Sequence, residues 1–207
     1  MLHQLHLLFL LMIIGVIGTG PAAAGEKPSF AGARLIRIAH GVSDISLGEG
    51  AQRQEFKITR WFSPYNGTSS GSTYRVLFRE VDESTGKVTW GGIPIKWHSS
   101  SARQHPIYPS YLETMSSSDI RECNTMDIRL LVMAKGARQE LLLLDANRVY
   151  GDSISDPNIV EFLLYVFVHD KSANRGQPRY YFKPISNFES EGRYCNVNEA
   201  FEKEFGF

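Results

Sequence analysis

Short stretches in which apolar and polar side chains alternate recur along most of the chain. Alternation with a period of two residues is typical of a β-strand that buries one face. Segment 55–62 shows it plainly, because Phe56 and Ile58 alternate with charged and hydroxylated residues. The pattern predicts about nine strands, at residues 34–38, 55–62, 74–81, 87–90, 91–97, 126–133, 139–144, 159–168 and 179–185.

Three pairs of these strands are separated by polar connections, at residues 82–86, 135–138 and 170–177. Gly, Asp and Ser in such positions are typical of hairpin turns. Paired glycines after Trp90 indicate a bulge, and Pro94 indicates an edge strand. The sequence therefore predicts three hairpins, whereas the remaining connections are longer loops.

Helical patterns are rare. Asp156 and Pro157, just before the eighth strand, resemble a helix cap followed by Pro at the first helical position. Val, Ile, Phe and Tyr in that segment nevertheless favour a strand. The one clear helix is predicted at 198–205, with Asn196 or Asn198 as its cap. The predicted fold class is all-β, an antiparallel β-sandwich or barrel-like sheet with a short C-terminal helix.

The composition of the 207 residues is that of an ordinary folded protein. Lys and Arg number 22, Asp and Glu also number 22, and 43% of residues are hydrophobic. This hydrophobic content excludes an intrinsically disordered chain. No cluster of basic residues occurs, so a nucleic-acid partner is not expected.

The chain begins with an apolar stretch from residue 5 to 17, and its first charged residue is Glu26. Three alanines at 22–24 follow Pro21. This order is typical of a cleaved secretory signal, although an uncleaved N-terminal anchor is the alternative. We expect removal of residues 1–24, leaving residues 25–207 as a single secreted or periplasmic domain without a membrane span.

Cys123 and Cys195 are the only cysteines. In an oxidising compartment they most simply pair with each other, and the loop between them would contribute about 4 kcal/mol of stability. Two buried free thiols are the alternative. A zinc site would need more ligands than these two residues supply.

Residues 67–71 match the G-x-S-x-G motif of serine hydrolases, with Ser69 as the nucleophile. Asp145 and His169 follow in the chain order of a catalytic triad. No helical pattern follows the motif, which favours a plain Ser/Gly loop. A small secreted serine hydrolase using Ser69 and His169 is kept as an alternative hypothesis. Asn66 begins an N-x-T sequon and is a possible glycosylation site.

Other polar residues suggest chemistry only weakly. His169 next to Asp170 could act as a base with an orienting carboxylate, although a solvated strand end is the simpler interpretation. The carboxylates of Glu80, Asp82 and Glu83 could pair for acid–base work, but their turn position favours solvation.

One stretch is rich in oxygen ligands suited to calcium. Its residues are Asp145, Asn147, Gly151, Asp152 and Asp156. The spacing departs from that of a known calcium loop. We therefore predict no cofactor, with calcium as a minor alternative.

Aromatic residues are the last feature of the sequence that indicates a binding function. Trp61 and Trp90 are predicted to lie in the core. The predicted binding residues are Trp97, His98, Tyr108 and Tyr111, which flank a polar stretch. Exposed rings can stack on sugars or anchor a protein. The leading hypothesis is therefore an exported binding module for a protein partner or a glycan; a structural component of an envelope or extracellular assembly is a further alternative.

Overall fold

The computed structural model describes residues 27–50, 53–65, 69–95, 112–113, 115–117, 123–151, 156–174 and 177–207. The strands are β1 (Arg34–Ile36), β2 (Gly41–Leu47), β3 (Gln54–Tyr65), β4 (Ser69–Val81), β5 (Val88–Gly92), β6 (Leu112–Glu113), β7 (Met115–Ser117), β8 (Asn124–Lys135), β9 (Arg138–Arg148), β10 (Val160–His169) and β11 (Tyr180–Glu189). One helix, α1 (Val197–Phe205), follows them. The predicted fold class is confirmed.

The strands form two halves of a sandwich. Strands β1 and β8–β11 make a five-stranded half, and β2–β5 make a four-stranded half. Every named strand pair is antiparallel. The short β7 pairs with both β4 and β8 and so joins the halves. A parallel bridge between Ile95 and Phe182 joins them again at the β11 edge, which gives the sandwich a barrel-like closure.

The main core lies between the halves. Phe56, Ile58 and Phe78 of the four-stranded half pack there with Leu143 and Phe182 of the five-stranded half, and all five are buried. Phe56 and Ile58 were placed on one strand face by their alternation, and the structure confirms it. Each such side chain contributes roughly 1.5–3 kcal/mol by its removal from water.

A second core lies on the opposite face of the five-stranded half, beneath α1. Leu142 and Leu144 of β9 pack there with Phe162 and Phe201. Because β9 is covered on both faces, all residues from 141 to 146 are buried. This explains why residues 141–144 are four consecutive leucines rather than an alternation.

Helix α1 is fixed at both ends. The Asn196 side chain caps its start by accepting a hydrogen bond from the Asn198 amide at 2.9 Å, as one of the two predicted caps. Gly206 ends the helix in the left-handed conformation, with φ of 81°. Just before the helix, Cys195 pairs with Cys123, and their Cα atoms are 5.2 Å apart. The pairing matches the prediction and is compatible with an extracellular or periplasmic protein.

Glu204 of α1 joins three parts of the chain, and its side chain is only 3% exposed. It accepts hydrogen bonds from Lys27 Nζ at 2.7 Å, the Tyr194 hydroxyl at 2.8 Å, and the amides of Glu191 and Gly192 at 3.0 and 3.2 Å. Burial opposes its ionisation, but the hydrogen bonds from Lys27, Tyr194 and Gly192 outweigh burial and lower the pKa of Glu204.

The strand predicted at 159–168 is confirmed by β10, and the helical alternative is not. Three sequence predictions need correction. Residues 41–47 form β2 where a loop was expected. Strands β4 and β5 pair in regular register, so the glycines after Trp90 do not form a bulge. Trp61 and Trp90 are 40% and 37% exposed rather than buried. The even-numbered residues Phe56 and Ile58 of β3 point into the core. Trp61 is odd-numbered, so its side chain lies on the opposite face of the strand.

No helix in the described parts of the chain combines the length and the hydropathy that a membrane crossing requires.

Candidate binding cleft

Four connections gather at one end of the sandwich. They are the connections that follow β2, β4, β8 and β10. Neighbouring strands are antiparallel, so every second connection lies at the same end of the sheet. Three of them are the predicted hairpin connections. The remaining connection, between β2 and β3, is joined to β9 by a hydrogen bond of 3.1 Å from the Gly48 amide to Gln139 Oε1. Hairpins that were separate in the sequence therefore form one surface.

This surface contains a cleft with two adjoining hollows of about 670 and 710 Å³. Phe78, Val81, Glu83, His169 and Lys171 line both hollows, so the two form a continuous cleft. Volumes of this size are typical of ligand sites, which usually range from about 300 to 1,000 Å³.

Two aromatic rings, those of Phe78 and His169, line the cleft, and Tyr180 packs against Phe78 without lining either hollow. The Phe78 ring lies 5.2 Å from the His169 ring and 5.5 Å from the Tyr180 ring, centroid to centroid. Tyr180 reaches this position because Gly91 of β5 has no side chain. A β-carbon at Gly91 would overlap the Tyr180 hydroxyl oxygen and lie 2.6 Å from its ring carbon Cζ. Only glycine at position 91 lets the Tyr180 ring come this close to β5. Glycines inside strands often mark such sites of close approach.

His169 lines both hollows of the cleft, beside the Phe78 ring. Burial, and then the positive charge of Lys171, lower the pKa of His169 below its ordinary value. The Asp170 carboxylate does not orient this ring. It accepts hydrogen bonds from the Ser172 amide at 2.9 Å and from the Ser172 hydroxyl at 2.6 Å, which lower the pKa of Asp170.

The rim carries charges of both signs. Arg179 Nη1 lies 3.3 Å from Glu80 Oε1. Asp82 is held in its turn by hydrogen bonds from Ser84 and Thr85, which lower the pKa of Asp82. The acidic residues predicted at this turn therefore sit in the cleft, and none of them forms a carboxylate pair with another.

Three cations of the cleft form no ion pair with any described residue: Lys87, Arg138 and Lys171. All three lie in or beside hairpin turns. Sequence analysis missed them because nothing in one hairpin shows that it will face another. Their turn positions were the only available signal.

The structure separates Ser69 from His169. Ser69 begins β4, whereas His169 contacts Phe78 nine residues further along the same strand. At about 3.3 Å per residue this places them roughly 30 Å apart. Residues 69–71 of the motif lie in strand β4, and no helix follows them, whereas a hydrolase nucleophile sits on a turn between a strand and a helix.

Several predicted residues lie outside the described part of the chain. They are Asn66 and the predicted binding residues Trp97, His98, Tyr108 and Tyr111. Of the predicted calcium ligands, Asp152 is also outside it, while Asp145 and Asn147 lie on strand β9 rather than in a loop. The described residues contain no group of three or more His, Cys, Asp or Glu side chains placed to hold a metal ion.

Comparison with known proteins gives the fold alone. Neither a protein-family model nor a curated protein matches the chain. Among solved structures, the chain is similar to one described as "Crystal structure of CarG", with a TM-score of 0.55 and 14% sequence identity. The similarity covers 82% of this chain and 94% of that chain.

Proposed function

We propose that the protein is an exported binding module that holds part of a protein partner in the cleft around His169. The observation that supports this most directly is the cleft itself, formed by four connections on paired strands, with hollows of about 670 and 710 Å³. Rigid strands position loops for recognition. The Ser84 hydroxyl also lines the cleft, but it donates its hydrogen bond to Asp82 and not to His169.

The rim favours a polypeptide over a glycan. Free cations such as Lys171 and Arg138 stand beside carboxylates such as Glu83. A polypeptide can offer complementary charges of both signs, as protein interfaces usually do. Sugar sites usually present the face of an exposed aromatic ring, whereas Phe78 on the cleft floor is buried.

Trp97, His98, Tyr108 and Tyr111 are proposed as a further contact surface. This part of the proposal rests on the sequence alone, through aromatic residues that flank a polar stretch. Replacing Trp97 and Tyr108 with Ala tests it independently of the cleft.

A paired charge reversal tests the cleft. Purified wild-type protein, a Lys171→Glu/Arg138→Glu variant and a Lys183→Glu variant would be applied to a peptide array and a glycan array. Lys183 is exposed on β11, outside the cleft, and serves as the matched control. We expect binding to a set of peptides that the double variant loses and the control keeps. Unchanged peptide binding by the double variant, or binding to glycans only, would contradict the proposal.

A further inference from the structure

The outer face of the four-stranded half carries large exposed side chains. Helix α1 covers the five-stranded half, whereas the side chains that alternate with the core positions of β2–β5 point away from the sandwich. Val42, Trp61 and Trp90 lie on this outer face and are 62%, 40% and 37% exposed. Apolar side chains exposed together on a folded domain usually mark a binding surface.

Strand register places a tryptophan and two cations together on this face. Thr59 of β3 is paired with Arg75 of β4. Trp61 and Lys57 lie two residues to either side of Thr59, on the same face. Both are therefore diagonal neighbours of Arg75, with Cα atoms roughly 7–8 Å away. Val42 of β2 is also paired with Thr59, on the side away from β4. These five residues are called the Trp61 patch below.

The two cations of the Trp61 patch form no ion pair with any described residue. Arg75 is exposed on its strand. The Lys57 ammonium nitrogen lies 4.4 Å from the centroid of the Trp90 ring. This cation–π contact holds the ammonium group in position and leaves its charge without a counter-ion. Both cations are therefore available to a negatively charged ligand.

Carboxylates on the same face leave this charge in place. Glu55 forms ion pairs with Arg53 and Arg79, at 2.9 and 3.0 Å. Asp44 is paired with Lys57 in the sheet, but their side chains form no ion pair with each other. The charge of the patch therefore complements an anionic ligand that also offers an apolar face.

We propose that the Trp61 patch binds an acidic polysaccharide, a sugar chain that carries carboxylate or sulfate groups. The apolar face of one sugar ring packs on the exposed Trp61 indole, with Val42 beside it. The acidic group of the sugar accepts hydrogen bonds from the Arg75 guanidinium, and the Lys57 ammonium adds attraction. No residue of the patch lines the cleft. This site therefore goes beyond the proposed function, and its test is independent of the cleft.

The composition of the patch favours a sugar chain over a protein partner. It combines one exposed indole and one small apolar side chain with two cations and the Thr59 hydroxyl. Protein interfaces are depleted in Lys, whereas Lys57 is held at this patch by its contact with the Trp90 ring. A sugar chain needs a ring to pack on and polar groups beside it, and the patch supplies both.

Affinity electrophoresis of the purified protein in native gels tests the proposal. The gels contain polygalacturonate, dextran sulfate or neutral dextran. We expect polygalacturonate or dextran sulfate to retard the wild type, which identifies the bound group as carboxylate or sulfate, and neutral dextran to leave its mobility unchanged. Trp61→Ala and Arg75→Gln should each raise the dissociation constant roughly tenfold, through loss of the ring contact and of a charge-assisted hydrogen bond.

Two exposed residues outside the patch provide matched controls. Tyr150→Ala removes an aromatic ring that is 51% exposed. Arg193→Gln makes the same charge change as Arg75→Gln, at an exposed position before α1. Both controls should bind like the wild type. Trp61→Tyr keeps an aromatic ring and should recover most of the binding that Trp61→Ala loses.

Three results would overturn the proposal. The first is that neither polyanion retards the wild type. The second is equal retardation of Trp61→Ala and the wild type, which would mean attraction by charge alone. The third is pelleting with phosphatidylserine vesicles that depends on Trp61 while polyanion binding does not, which would assign the patch to a membrane surface. Urea denaturation of each variant separates loss of binding from loss of folding, and the exposed, unpaired Arg75 keeps the test valid if Trp61→Ala is unstable.

Discussion

Replacing Glu204 should lower the free energy of unfolding, because its carboxylate accepts hydrogen bonds from several groups. In Glu204→Ala, four donors lose their acceptor. Two of these donors can turn to water, since the Glu191 amide is exposed and the Lys27 side chain is 31% exposed. The Tyr194 hydroxyl and the Gly192 amide remain partly buried.

The expected cost follows from the two donors that stay buried. Leaving a buried donor unpaired costs roughly 1–2 kcal/mol, so Glu204→Ala should lose about 3 kcal/mol of unfolding free energy. Glu204→Gln keeps an acceptor for Tyr194 but loses the charge, and should cost about 1–2 kcal/mol. Lys27→Gln removes only a partly exposed ion pair and should cost about 1 kcal/mol or less.

Urea denaturation of the three variants at neutral pH measures this order directly. The pH dependence provides a second check. Because the folded protein lowers the pKa of Glu204, its contribution is complete above the ordinary carboxyl pKa and is lost as pH falls through the lower folded value. Glu204→Gln should lack this acid-dependent part. The explanation is refuted if Lys27→Gln costs as much as Glu204→Ala, or if Glu204→Ala has no measurable cost.

Three further predictions concern the cleft and the disulfide. Gly91→Ala should lower the free energy of unfolding by about 1–3 kcal/mol, because the added methyl group meets the Tyr180 hydroxyl. In a double-mutant cycle, Tyr180→Phe should recover part of this loss. If the stability effects of the two substitutions are simply additive, the close approach is contradicted. The stability of the wild type should decline as pH falls below 6.5, the ordinary pKa of His169, because burial lowers the folded value. His169→Gln should lack that component in denaturation curves measured across this range. Replacing Cys123 and Cys195 with Ala should cost about 4 kcal/mol, and a reductant should then change the Tm of the wild type only.

Alternation in the sequence predicts the strands whose faces differ clearly. Strand β3 is an example, since Phe56 and Ile58 face the core. Strand β2 was missed because its inward positions include Gly41 and Ser43, while Val42 points outward. Its strand conformation comes from pairing with β3, a tertiary effect that local pattern does not contain.

The cleft could be predicted only in pieces. The turns at 82–86 and 135–138 are visible as separate hairpin connections, but their proximity depends on the order of strands in the sheet. Asp145 and Asn147 illustrate the same limit. Asp and Asn favour turns, so the sequence indicates a loop, whereas pairing of β9 with β8 and β10 holds both residues in a strand.

The most direct test of the proposed binding cleft is a titration of isotopically labelled protein with a peptide selected from the array, followed by the backbone amide NMR signals. We expect the largest shifts in the described residues of the four connections, at 48–50, 53, 82–87, 135–138, 170–174 and 177–179, and at His169. Shifts confined to α1, or to the end of the sandwich that carries Asp145, would contradict it.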